Sequence, residues 1–471
     1  MFLLTDLDAS RTALCEPSTG TRLSYAELAS RVLTAAADLA ASGKQLLFVF
    51  GARQIECVVA YLAGIEAGHA VAWIDPVVPD DALARLLTTY TPDVVVLGSG
   101  RAAQRAVADG YRDDRHASLG RLWRAVTRAA GPPIHPDLAC LLSTSGTTGS
   151  ARLVRLGRRS LIENARAIVE ALGISALDVA VTSLPIAHAF GLSVLDSHLA
   201  AGGTVVLDES SPLQAGFWRV VHDERVTSLA GVPLTFELLR RLDPARVVPA
   251  SVTMMIQAGG RLDPDHIAFF RELMAARGGS FRVMYGQTEA TARISVWPPA
   301  VPAGKIASVG RVIPGGSVRI DPASGEILYR GAGVMMGYAD SRADLARGGE
   351  LDELPTGDLG YLDDDGYLFL TGRTKRIAKL AGFRINLDEV EAQLPGMHAA
   401  AVERAGRLHV FVETGGAGLA DVAARLSRSL GLDPALIRVT AIERLPRSSA
   451  GKVMYAALEQ QTDPPIDRKR P

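Results

Sequence analysis

Leu138-Ala139-Cys140-Leu141-Leu142-Ser143-Thr144-Ser145-Gly146-Thr147-Thr148-Gly149-Ser150-Ala151-Arg152 is the stretch from which the rest of the chain is read. Five apolar residues, a length that suits a buried strand, run straight into hydroxyl side chains and two glycines. Such a segment cannot build a core. Its backbone N–H groups and hydroxyls can wrap a polyphosphate instead, and Arg152 adds positive charge at the exit. The spacing G-x-x-x-x-G-K-[ST] of the ordinary triphosphate loop is absent, so this is a phosphate loop of another kind. The strand leading in and the apolar residues leading out (Leu153, Val154, Leu156) distinguish it from a flexible Ser/Gly linker.

Working outward, the first third of the chain alternates helix and strand. Ser24 and Glu27 form a capping-box pair ahead of a helix whose apolar residues Leu28, Val32, Ala35 and Leu39 share one face. A buried-type strand is expected at 46–50, a helix near 58–67 and a strand at 70–74, followed by a proline-bearing turn. Further strands are expected at 138–142, 179–184, 204–207 and 253–257. That rhythm predicts an α/β protein with a largely parallel sheet. After Trp297 the texture changes to short strands and glycine turns at Gly315-Gly316, Ser324-Gly325 and Asp365-Gly366, a small β-barrel-like part. The spacing divides the chain into a large domain of βα-built sheets packed with helices, residues 1–372, and a small mobile α+β cap, residues 373–471. Residues 463–471 read as a frayed tail.

Bulk properties narrow the function classes. With 471 residues the chain exceeds one hydrophobic core, and 48% hydrophobic against 21% charged residues suits a folded protein. Fifty basic residues against 51 acidic ones create no basic field for nucleic acid. Cys15, Cys57 and Cys140 have no metal-ligand spacing and read as reduced, packed thiols. The N-terminus turns acidic before a secretory core forms, and no charge-free apolar stretch reaches membrane-spanning length. A cytoplasmic protein with no membrane and no nucleic-acid partner is expected.

Downstream of the loop come Tyr285-Gly286-Gln287-Thr288-Glu289, Thr356-Gly357-Asp358, Gly372-Arg373-Thr374-Lys375-Arg376, Gly382-Phe383-Arg384-Ile385 and Leu445-Pro446-Arg447-Ser448-Ser449-Ala450-Gly451-Lys452. In this order the set resembles the adenylate-forming superfamily of acyl-CoA synthetases, peptide-synthetase adenylation domains and beetle luciferases. The resemblance spans nearly the whole chain, from Ser24-Tyr25-Ala26-Glu27-Leu28 to Lys452.

The resemblance implies a set of roles. Thr144, Ser145, Thr147 and Thr148, with Gly146, Gly149 and Arg152, would hold the phosphates of ATP. Tyr285 would lie against adenine beside Gly259-Gly260, Thr288 would meet the α-phosphate, and Glu289 would bind Mg²⁺. Asp358 would accept from the ribose hydroxyls, supported by Arg373. Lys452 would reach the α-phosphate and the substrate carboxylate. A hinge near Lys375 would then present Lys379 and the Gly382 loop to a pantetheine thiol of CoA or a carrier protein. The chemistry suits these residue types. A carboxylate attacking an anionic α-phosphorus needs positioning and cations more than a general base.

Leu184-Pro185-Ile186-Ala187-His188-Ala189-Phe190-Gly191 resembles the family's acyl-pocket segment, with His188 gating the route to the carboxylate. Amino-acid-activating relatives carry Asp directly after the aromatic, where this chain has Gly191. Without it an α-ammonium would be buried unpaired, so an aryl or aliphatic acid lacking an α-amine is favoured. Asp196 is a candidate anchor for a more distant amine. Three departures stand out. Arg152 replaces the usual lysine, bringing a planar fork where the family has a point charge. Arg261 replaces a small residue after the glycine pair and would narrow the site. The compact chain argues against a tunnel for very long fatty acids. The same motifs also suit an amide synthetase, a nitrite-activating enzyme or a luciferase-like oxygenase, and, in another class, a nucleotide-binding homologue without turnover.

Overall fold

The computed structural model describes residues 4, 7–50, 53–78, 80–97, 110–116, 119–126, 131–143, 152–380, 383–394, 396–413, 419–430, 432–448 and 451–460. The tail at 463–471 lies outside them, as does the interior of the phosphate loop, 144–151.

Two large sheets carry the fold. One holds nine strands in the order Arg311–Val312, Ser295–Val296, Ser280–Tyr285, Met254–Gln257, Ser228–Gly231, Val179–Val181, Thr204–Val206, Thr12–Glu16, Thr21–Ser24. The other holds eight: Gly337–Ala339, Leu153–Gly157, Leu138–Ser143, Ala70–Ile74, Leu46–Phe50, Val94–Leu97, Gly120–Ala125, Tyr111–His116. Both are parallel at their centres and antiparallel at their edges. Every residue of Leu46–Phe50 and of Ala70–Ile74 is buried, as strands covered on both faces require. The helix Ile55–Glu66 connects them. The expected strand at 179–184 is shorter because Ser183 turns away after Val181, its N–H donating to the Val181 carbonyl (2.8 Å).

The capping box forms as read. Ser24 caps Tyr25–Asp38, Glu27 reciprocates, and Tyr25, Leu28, Val32 and Ala35 face inward. Gly315, Gly325 and Gly366 all adopt positive φ (75°, 74° and 75°), which accounts for glycine at those turns. Gly315 precedes the strand Gly316–Ile320, Gly325 separates it from Glu326–Gly331, and Gly366 separates Leu354–Leu362 from Leu368–Arg373. All three cysteines are free and buried.

The chain resolves into two compact units. The larger takes in residues 1–319, 328–356 and 362–369, the smaller 320–327, 357–361 and 370–471. The smaller unit is α+β. The antiparallel pair Ile377–Leu380 and Phe383–Asn386 accompanies a three-stranded sheet of Ala399–Arg404, Arg407–Glu413 and Ile437–Ile442. Its own core includes Leu387, Val390, Leu408, Val410, Leu426 and Ile437. Among the described residues no helix is long and apolar enough to cross a membrane.

Candidate active site

The hydroxyl-rich loop is framed by antiparallel strands. Ser143 pairs with Leu153, so the loop's ends are neighbours. Thr144, Ser145, Gly146, Thr147, Thr148 and Gly149 themselves lie outside the described residues. At the exit, Arg152 makes a two-pronged ion pair with Asp340 (2.9 and 3.1 Å) and stacks 4.7 Å over the ring of Tyr338. The Tyr338 hydroxyl donates to Glu289 Oε1 at 2.8 Å. One aromatic side chain thus joins the foot of the loop to the acidic residue of the Tyr285–Glu289 motif. Burial first, then the Glu289 carboxylate, pushes the Tyr338 phenol above its ordinary pKa and keeps it a donor.

Tyr338 is held by Arg155, whose side chain is wholly buried. Arg155 donates to the carbonyls of Tyr338 (3.2 Å), Met336 (3.0 Å) and Gly348 (3.3 Å) and pairs with Glu350 (2.8 Å). Gly337 makes room for this cluster, since a Cβ there would stand 2.3 Å from a Glu350 oxygen.

Tyr285 ends the strand Ser280–Tyr285 beside Met254–Gln257, which runs out into Ala258-Gly259-Gly260. Gln257 Nε2 donates to the Gly260 carbonyl (2.8 Å) and fixes that turn, with Gly259 at φ 85°. These residues sit at the carboxyl ends of parallel strands, the usual place for ligands in such sheets. Thr288–Ala290 form a single 3₁₀ turn, followed by two non-glycine residues at positive φ, Thr291 (55°) and Ala292 (100°). Strain of this kind costs about 1–3 kcal/mol per residue and persists only where the surroundings enforce it. Here the Thr291 hydroxyl donates to the Gly333 carbonyl (2.6 Å), Met335 N–H donates to the Glu289 carbonyl (2.9 Å), and Gln287 Nε2 donates to the Thr356 carbonyl (3.2 Å).

In the segment 184–191 His188 occupies the N-cap position of the helix Ala189–Ala200 without a side-chain capping bond, its Nε2 3.3 Å from Asp75 Oδ2, an ion-pair distance without hydrogen-bond alignment. Gly191 is fixed by packing: a Cβ there would lie 2.1 Å from the Pro185 carbonyl oxygen. The aspartate of amino-acid-activating relatives has no room at this position on this backbone. Arg261 is exposed. Asp196 points to the other face of the helix, accepting from the Tyr61 hydroxyl (3.1 Å) in a narrow internal space that Asn164, Ser193 and Thr291 also line.

The smaller unit carries the remaining candidates. Asp358 is 7% exposed and pairs with Arg373 Nε at 3.0 Å. Gly357, at φ 73°, turns the chain into Asp358, and Thr374 Oγ1 donates to its carbonyl (3.1 Å). Lys452 closes a tight loop in which Ser448 N–H donates to the Lys452 carbonyl (2.8 Å) and Gly451 N–H to the Ser448 carbonyl (2.8 Å). Lys375 lies in the 3₁₀ turn Thr374–Arg376 and Lys379 in the strand Ile377–Leu380. Their side chains, and Gly382, lie outside the described set. Next to Lys375, Arg376 is buried against Asp388 (2.6 Å), Glu391 (2.5 Å) and the ring of Tyr455 (3.6 Å), and the Tyr455 hydroxyl donates to Glu391 (3.1 Å).

The family model described as AMP-binding enzyme matches residues 7–339. The chain belongs to that family. It is therefore an AMP-forming acid–thiol ligase that uses ATP. A 4-coumarate–CoA ligase-like protein of Oryza sativa subsp. japonica is 28% identical over 95% of this chain and 84% of its own length. A sulfoacetate–CoA ligase of Cupriavidus necator is 32% identical over 69% and 68%. Among solved structures, ATP-bound MatB from Rhodopseudomonas palustris superposes with a TM-score of 0.75 at 23% identity, covering 97% of each chain. MenE from Bacillus subtilis with ATP and magnesium ion gives 0.76 at 20%, covering 98% and 99%. These likenesses bear out the α/β fold class and the adenylate-forming resemblance.

Sequence reasoning did not find Tyr338, Arg155 or Asp75. Tyr338 lies in Gly337-Tyr338-Ala339, a three-residue edge strand with no motif signal of its own.

Proposed function

We propose that the protein joins a carboxylic acid lacking an α-amine, aryl or aliphatic, to ATP as acyl-AMP, and passes the acyl group to the thiol of CoA or a carrier-protein pantetheine. The single observation carrying this reading is the link Arg152–Tyr338–Glu289, which puts the motif's carboxylate at the foot of the hydroxyl-rich loop. The absence of room for an aspartate at Gly191 supports the missing α-amine.

In this reading a carboxylate oxygen of the acid attacks the α-phosphorus, the P–O bond to the β-phosphate breaks, and pyrophosphate leaves with the electron pair. Thr288 would orient the α-phosphate, Tyr285 and the Gly259-Gly260 turn would receive adenine, and Asp358 the ribose hydroxyls. His188, beside Asp75, would stand at the carboxylate's entrance. Glu289 is the one residue proposed to hold Mg²⁺. Among the described residues no three acidic, His or Cys side chains converge, so phosphate oxygens and water would complete the shell, a usual arrangement for this ion. Bound there, Mg²⁺ would neutralise charge on the phosphates. The domain boundary at 372/373, the hinge near Lys375, the arrival of Lys452 at the α-phosphate and the later approach of Lys379 and the Gly382 loop to the thiol belong to the same proposal.

The test is acid-dependent exchange of pyrophosphate into ATP across a panel of acids, followed by mass spectrometry of products with CoA, carrier protein and amines as acceptors. Lys452→Ala should lose exchange by about a hundredfold or more while still transferring from preformed acyl-AMP. Wild-type exchange in that variant would refute the assignment of Lys452, and no exchange with any acid would refute adenylation.

A further inference from the structure

Among the described residues, three of the four buried arginines have hydrogen-bond partners. Arg155 spends its donors on carbonyls and Glu350, Arg376 on Asp388 and Glu391, and Arg282 on the Trp297 carbonyl (2.8 Å). Arg293 breaks the pattern. It is 3% exposed, yet its Nε and Nη1 are buried and meet no hydrogen-bond partner among the described residues. Burial lowers its pKa to about 9, and among the described residues no carboxylate lies close enough to raise it back. The undescribed 144–151 segment of the same unit carries no acidic residue. At neutral pH the guanidinium is still charged, and an unpaired charge in such surroundings is costly.

Its position says what the charge faces. Arg293 follows the strained turn directly: a Cβ on Gly286 would come within 2.7 Å of the Arg293 Cα, so the residue is rooted behind Tyr285-Gly286. Its Cζ lies 5.3 Å from the ring centroid of Phe190, in the acyl-pocket segment. Phe190 packs against an apolar cluster that includes Val194, Ala258 and Met284, the last two directly preceding Gly259 and Tyr285. His198, two turns along the same helix, feels the Arg293 charge. Its Nδ1 bonds the Val194 carbonyl (2.9 Å), and its Nε2 is buried without a partner. Among the described residues this apolar wall therefore contains one guanidinium, over the Phe190 ring, whose Nε and Nη1 make no hydrogen bond.

We propose that Arg293 is the counter-ion for a second acidic group on the substrate, so that the enzyme selects diacids, with a carboxylate or sulfonate distal to the reacting carboxylate, over monoacids of the same length. The inference rests on the adenylation reading and deepens it by naming the substrate class. The distal anion would take up the unused guanidinium donors as charge-assisted hydrogen bonds, while the reacting carboxylate stays at the α-phosphate. A monoacid would leave the guanidinium as it stands, unpaired.

The experiment measures acid-dependent pyrophosphate release with linear and aromatic diacids, carboxylic and sulfonic, each matched to its monocarboxylic analogue. The best diacid should exceed its monoacid partner in kcat/KM by about a hundredfold or more. Arg293→Met should abolish that preference, chiefly through KM for the diacid, and Arg293→Lys should restore part of it. Without ligand, Arg293→Met should melt at or above the wild-type temperature, because an uncompensated buried charge is gone. The diacid should raise the melting point of the wild type and not of the variant. Equal use of monoacids by the wild type, an unchanged preference in Arg293→Met, or a variant that melts well below wild type would each overturn the assignment while leaving adenylation intact. Pyrophosphate release with no acid of either series would instead sink the adenylation reading, and this proposal with it.

Discussion

Asp196 and His198 stand two residues apart on the Ala189–Ala200 helix, and burial drives both toward neutrality. The Asp196 carboxyl rises from 3.8 to about 8 because it is desolvated, with only the Tyr61 hydroxyl opposing. The Cys140 thiol and the polar groups of Asn164, Ser193 and Thr291 are its other neighbours. His198 falls from 6.5 to about 4, again by burial first. The linkage signs are opposite. For Asp196 the folded pKa lies above the unfolded one, so its contribution is complete below the unfolded value and is lost as pH rises through about 8. For His198 the folded pKa is depressed, so its contribution is present above 6.5 and is lost as pH falls through about 4. Asp196→Asn should therefore flatten the decline of stability with rising pH, checked by denaturation midpoints from about pH 5 to about pH 9. A variant that keeps the wild-type slope would show that another group titrates.

At the scale of elements, the turn after Tyr285 depends on one missing side chain. A Cβ on Gly286 would sit 1.7 Å from the Ala292 carbonyl oxygen, backbone that cannot swing aside. Gly286→Ala should cost about 3 kcal/mol or more, beyond ordinary overpacking, and should disable pyrophosphate exchange by moving Thr288 and Glu289. Gly315→Ala is the contrast. Its φ of 75° is left-handed, which the φ of Gly286 is not, but nothing lies within 4 Å, so about 1 kcal/mol and full activity are expected. Urea titrations of the two variants separate steric need from conformational preference. A Gly286→Ala protein as stable as Gly315→Ala would disprove the close approach.

The same contrast shows what was legible beforehand. The Ser24–Glu27 box, the buried strands and the glycine turns follow from local chemistry, so spacing alone revealed them. The ordered motifs likewise brought Tyr285, Glu289 and the loop into one argument. Arg155 could not be read this way. In Leu153-Val154-Arg155-Leu156 it looks like an outward-facing strand residue, and its partners at Met336, Tyr338 and Glu350 lie more than 150 positions away. Arg293 was silent for a related reason: composition shows a charge and does not show that nothing answers it.

For the whole molecule, the smaller unit has a core of its own and a buried ionic knot at its start. Arg376 is 9% exposed, and removing it would strand Asp388 and Glu391. Burial already holds the Glu391 pKa above the ordinary carboxylate value even with Arg376 beside it. Arg376→Ala should destabilise this unit by about 3–5 kcal/mol. Calorimetry should then resolve an early transition, with the transition of the larger unit unmoved. A single unshifted transition would contradict the knot's importance.

That knot has a mechanical side. Arg376 adjoins Lys375, and Tyr455, clamped on the guanidinium, stands three residues past Lys452. A pivot at Lys375 would accordingly act on a crank instead of a loose strap. In the proposed hinge motion the segment that carries Lys452 would then move together with the turn that holds Lys375.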